Sequence, residues 1–88
     1  MNRIIFFALN GIASIYAETG RFKDASLLFS FAEKMGIEGN FHLDPVDAWE
    51  VEQSIKLLES NMDESEKQEA WKSGKELELD AAIRKAEQ

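Results

Sequence analysis

The stretch Leu9-Asn-Gly-Ile-Ala-Ser-Ile-Tyr-Ala-Glu-Thr-Gly-Arg-Phe-Lys-Asp-Ala-Ser-Leu-Leu-Phe-Ser-Phe-Ala32 decides the fold. Leu9, Ile12, Ala13 and Tyr16 recur at the spacing of three and four that puts side chains on one helical face. Gly20 interrupts the pattern, with the freedom to turn the chain at low steric cost. Phe22, Ala25, Phe29 and Ala32 then form a second stripe of the same period. Two such stripes across a short turn predict a helical hairpin in which large and small side chains interdigitate. A hairpin of this kind is a packing unit and carries no chemistry of its own.

Working outward, the spacing predicts a first helix from about Asn2 to Glu18 and a second from about Phe22 to Met35, with Gly36 as its stop. Ile37 to Leu43 reads as a loop around Gly39-Asn40. Asp44 can cap a third helix that Pro45 opens, because proline suits the first turn and the carboxylate accepts free amide protons. Its inner stripe is Ala48, Val51, Ile55 and Leu58, flanked by Trp49 and Leu57. Ser60-Asn61 ends it. Asp63 with Glu66 three residues later is a capping-box variant that starts a fourth helix, for which Gly74 is the expected terminator. Leu79, Ala82, Ile83 and Ala86 mark a short final helix. The fold class is therefore all-α, a hairpin followed by two or three further helices. One domain spans 1–88, with the hairpin over 1–36 and acidic helices over 44–88.

Eighty-eight residues bury only a modest core, so help from a partner or a second copy is expected. The chain has no cysteine, which excludes disulfides and thiolate metal sites. The formal charge is −7. Arg3, Arg21, Lys23 and Lys34 balance Glu18, Asp24, Glu33 and Glu38 up to Asn40, so all the excess acid lies between Asp44 and Glu87. Such a surface repels phosphate backbones, and no nucleic-acid partner is expected. A membrane span needs about 20 apolar residues; the run from Ile4 meets Asn10, Gly11 and Glu18 too early, so no membrane partner is expected either. Met-Asn-Arg followed by Ile4 to Leu9 imitates a signal peptide, which gives the alternative of a small secreted or periplasmic helical protein with residues 1–17 removed. Against it, Ile15 stands where a cleavage site wants a small residue, and Ile12, Ala13 and Tyr16 are in register with the stripe after Gly20. The expected location is the cytoplasm.

The hairpin residues resemble a tetratricopeptide repeat: Leu9, Ile12, Ala13, Tyr16, Gly20, Phe22, Ala25, Phe29 and Ala32 follow its large–small–aromatic, glycine, aromatic–alanine order. Leu9 stands where tryptophan is common, and Ile37 where proline usually closes the unit. The later segments Ala25-Ser-Leu-Leu-Phe-Ser-Phe-Ala-Glu33, Pro45, Trp49 and Ala70-Trp71-Lys-Ser-Gly74-Lys-Glu-Leu77-Glu-Leu79-Asp-Ala-Ala82 are similar to the C-terminal tail of LuxR-type and other ATPase-containing bacterial transcriptional regulators. Lys67 and Glu78 depart from that pattern, in which an aromatic and a capping serine are frequent. The resemblance implies a protein-interaction tail. It reaches neither an ATPase core nor a DNA-reading module, since the chain has no phosphate-binding G-x-x-x-x-G-K-[ST] loop and no basic helix–turn–helix.

Candidate chemistry is sparse. His42 is the single histidine and lacks further metal ligands at fixed spacing. Glu50, Glu52 and Glu59 read as a solvated helix surface, and Tyr16, Trp49 and Trp71 as packing groups. No catalytic, cofactor or metal residue is expected, and the chain is not read as an enzyme. Ile4, Ile5, Phe6 and Phe7 cannot all face one hairpin partner. They are the expected interface, covered by an upstream repeat of a longer chain or by a second copy in a homodimer. The competing possibility is that the loop or the last helix folds back over them.

Overall fold

The computed structural model describes residues 2–87. Among them it holds five helices and no strand: α1 (Asn2–Glu18), α2 (Phe22–Gly39), α3 (Pro45–Asn61), α4 (Glu64–Lys75) and α5 (Leu79–Ala86). The chain is all-α. Helix α2 is the centre, and every residue from Ala25 to Ala32 is buried. A helix apolar on one stripe only would not tolerate this. Here Ala25, Ser26, Ser30 and Ala32 are small enough for neighbours to approach on every side. Helices α1 and α4 make the closest flanking contacts with α2, α3 lies against α1 and α2, and α5 touches both hairpin helices.

The turn after α1 has a physical cause. Gly20 takes φ 86°, the Arg21 amide donates to the Tyr16 carbonyl at 2.8 Å, and the Gly20 amide donates to Ala17 at 3.3 Å. These are the two return bonds that close a helix around a left-handed glycine. The caps of α3 and α4 follow the sequence. Asp44 accepts from the Asp47 amide at 2.9 Å, and Pro45 occupies the first turn. Asp63 and Glu66 exchange side-chain bonds with each other's amides at 2.8 and 3.2 Å.

Two glycines expected as helix stops are not stops. Helix α2 continues through Gly36 to Gly39 and ends at Asn40, which takes φ 55°. A Cβ on Gly36 would lie 2.9 Å from Phe6 Cε1, so the glycine makes room for that ring. Gly74 lies inside the last turn of α4, where a Cβ would meet the Leu27 carbonyl oxygen at 2.5 Å and Ser30 Cβ at 2.7 Å. Ala70 and Gly74 thus let α4 lie directly on α2. The Ser30 hydroxyl donates to the Trp71 carbonyl, and Lys34 Nζ donates to the Lys75 carbonyl at 2.9 Å.

On α3 the inner face is Val51, Ser54, Ile55 and Leu58, while Ala48, Trp49 and Leu57 are exposed. The difference is one of phase: the helix turns Ser54 inward, a position its polarity hid. The helix α5 has no side-chain cap at Glu78. It is held from its other end by Tyr16, whose hydroxyl donates to the Lys85 and Ala86 carbonyls at 3.1 and 3.0 Å.

Candidate functional site

The run expected as an interface divides. Phe6 is 5% exposed. The Phe41 amide returns to the Gly36 carbonyl at 2.9 Å, which swings the loop back and places the Phe41 ring 5.7 Å from that of Phe6. Phe7 is half-buried and packs edge-on to Phe6 at 5.3 Å. Ile5 is half-buried against the core. Only Ile4, at 73% exposure, is free of the fold. The Asn40–Phe41 turn, invisible to periodicity, covers the aromatic part of the run.

What α1 leaves outside is a different set. Ile4, Ala8, Gly11 and Ile15 are all exposed, and they follow one another at four, three and four residues, which is one line along a helix. Ile15 is 58% exposed. No charged residue stands between Arg3 and Glu18, so this outward face is apolar over nearly the whole helix. The other positions singled out in the hairpin are turned inward. Leu9, Ala13, Tyr16, Ala25, Phe29 and Ala32 are buried, and Ile12 and Phe22 are packed against them.

A concave surface opens between α2, α3 and the 37–43 segment, with Trp71 of α4 at its side. Helices α3 and α4 leave the Met62–Asp63 elbow and barely touch along their lengths. Where they part, Glu59 and Lys67 pair across the gap at 2.6 Å. The groove has a volume of about 600 Å3, with Phe29 on α2, Val51 and Ile55 on α3, and Trp71 on α4 among its walls. Its charged wall residue Glu33 is engaged by Lys75 at 3.2 Å. His42, at the rim, is exposed and lies 3.0 Å from Asn40 Oδ1.

Around the hairpin turn sits one cluster of charge. Arg21 lies over the Tyr16 ring, 3.8 Å from its centroid. Asp24 accepts from Arg21 at 2.8 Å and from Lys85 at 3.1 Å. Burial pushes the Asp24 carboxyl up, but the hydrogen bonds from Arg21 and Lys85 outweigh it and hold the group below its ordinary value. The cluster ties α5 to the hairpin.

Among the described residues no group of three or more His, Cys, Asp or Glu side chains converges as a metal site, and no buried side-chain nitrogen or oxygen lacks a partner. No helix among them is long and apolar enough to cross a membrane. Fold and surfaces together define a small all-helical protein with an uncharged outward face on α1, and with Ile37 near the end of α2 and Val46 and Trp49 near the start of α3 also exposed. No family model, no curated protein and no solved structure matches the chain.

Proposed function

We propose that this chain is a non-catalytic protein–protein interaction or oligomerisation module acting in the cytoplasm, and that it works through the outward face of α1. The observation that carries this reading is the exposed line Ile4, Ala8, Gly11 and Ile15 on a helix with no charge between its ends. An apolar face left wet favours association, because covering each large side chain is worth roughly 1.5–3 kcal/mol. In this reading the α1–α2 hairpin is tetratricopeptide-like, and the chain resembles the tail of a bacterial transcriptional regulator. The face of α1 is then where an upstream repeat, or a second copy, would lie. The rival, a secreted protein losing residues 1–17, would take Leu9, Ala13, Tyr16 and Ala17 out of a core they share with α2.

Sedimentation over a wide concentration range tests the proposal. The unmodified chain should pass from monomer to dimer as concentration rises. The double variant Ile4→Ser/Ile15→Ser should stay monomeric with unchanged helix content, because both side chains are exposed. A folded chain that is monomeric at every concentration would overturn self-association through α1.

A further inference from the structure

We propose that the partner on α1 is a second copy docked antiparallel, α1 against α1, about a two-fold axis passing between Leu9 and Asn10. This rests on the reading of the α1 face as an association surface, and it fixes the geometry of that surface. The first ground is Gly11. A glycine inside a helix costs stability, and the other helical glycines described have a use: Gly36 admits Phe6, Gly39 admits the Phe41 ring, and Gly74 admits the α2 backbone. Gly11 admits nothing. A Cβ there would have no heavy atom within 4 Å. No side chain of the monomer presses on this glycine, which borders a shallow cleft shared with Asp47, Glu50 and Val51 of α3; a helix crossing at Gly11 and Ala8 would use it for close approach.

The second ground is the spacing. Ile4 and Ile15 lie equally far from the midpoint of the stripe, and so do Ala8 and Gly11. A closed two-fold contact places each patch on its own copy, residue i on j and j on i. Reversing the helix therefore sets Ile4 against the partner's Ile15, and Ala8 against the partner's Gly11, large on large and small on small.

The third ground is charge. Arg3 and Glu18 are the only charged residues on α1. Antiparallel docking brings Arg3 to within one turn of the partner's Glu18 at both ends, and it opposes the two helix dipoles. Parallel docking would instead stack Arg3 on the partner's Arg3, Glu18 on the partner's Glu18, and align the dipoles.

The absence of cysteine makes the geometry directly readable. Disulfides need Cα atoms about 4.4–6.8 Å apart, whereas positions 4 and 15 are separated by about 16 Å along a helix. Under mild oxidation, Ala8→Cys should link to itself, being close to the axis. Ile4→Cys alone and Ile15→Cys alone should not, yet a mixture of the two should give the mixed dimer. Self-linking of Ile4→Cys at the rate of Ala8→Cys would show a parallel pair and overturn the proposal. A dimer by sedimentation in which none of these links forms would overturn it too, by placing the contact elsewhere. A chain that never dimerises defeats the association reading itself, so the two failures are distinct. As a second measurement, Gly11→Ala should raise the thermal midpoint of the monomer while weakening the dimer; a dimer equally strong with the added methyl would deny the close approach at Gly11.

Discussion

Gly20, Gly36 and Gly74 look alike in the sequence, each near the end of a helical pattern, yet they serve two different needs. Gly20 supplies a left-handed φ. Gly36 and Gly74 sit in ordinary helical backbone and are small because something presses on them. Local sequence carries the first need, since a turn must follow the end of a periodic stripe. It does not carry the second, which depends on Phe6 and Leu27, residues distant along the chain. The same limit explains the candidate interface. Ile4 to Phe7 read as one patch because periodicity cannot show Phe41 returning over Phe6. Gly74 offers a direct check. Gly74→Ala would drive a methyl to 2.5 Å from the Leu27 carbonyl oxygen. Backbone cannot yield as a flexible side chain can, so α4 must lift from α2 at a cost of about 1–3 kcal/mol. Urea denaturation should show that loss as a lower midpoint. An unchanged midpoint would mean that α4 does not lie on α2 as described.

At the scale of elements, the helices with local signals were legible. The Asp44-Pro45 start and the Asp63–Glu66 box determine their own geometry within a few residues. The groove over Phe29 and Trp71, formed where α3 and the 37–43 segment stand off α2, belongs to tertiary packing and left no local trace. Helix α5 is the instructive case. It is short and has no side-chain cap at Glu78, so it depends on the hairpin: Tyr16 holds its last carbonyls and Asp24 pairs with its Lys85. Because Asp24 is held below its ordinary value by Arg21 and Lys85, the sign of its pH effect follows. The folded state favours the ionised carboxylate. The resulting stability is full above the unfolded value, about 3.9, and is lost as pH falls through the lower folded value. Asp24→Asn should therefore be less stable than the parent chain at neutral pH, with the gap closing as pH drops below about 4. Amide exchange across Ile83 to Glu87 should be faster in the variant. A gap that persists at acid pH would show that the loss comes from packing rather than from the carboxylate.

For the whole molecule, the charge decides how two copies can meet. The formal −7 resides beyond Asn40, on α3 to α5 and their connections, while α1 carries one charge of each sign. The molecule extends 33 × 27 × 22 Å, so two copies joined at α1 have centres about 25 Å apart. In water without salt, two charges of this size repel by about 8 kcal/mol at that separation. With a Debye length of about 30 Å at 0.01 M salt and about 10 Å at 0.1 M, the repulsion falls to roughly 3–4 and then below about 1 kcal/mol. Against this stand two exposed Arg3–Glu18 contacts, each worth only about 0.2–1 kcal/mol and also weakened by salt. Repulsion wins the comparison, so added salt should strengthen the dimer by roughly tenfold or more between these conditions. The same acidic surface should leave duplex DNA unbound at physiological salt, and a salt-sensitive mobility shift with generic DNA would contradict this. Sedimentation equilibrium at the two ionic strengths measures the sign directly. A dimer that loosens with salt would be held by its ion pairs, and the apolar line from Ile4 to Ile15 would not be what joins the copies.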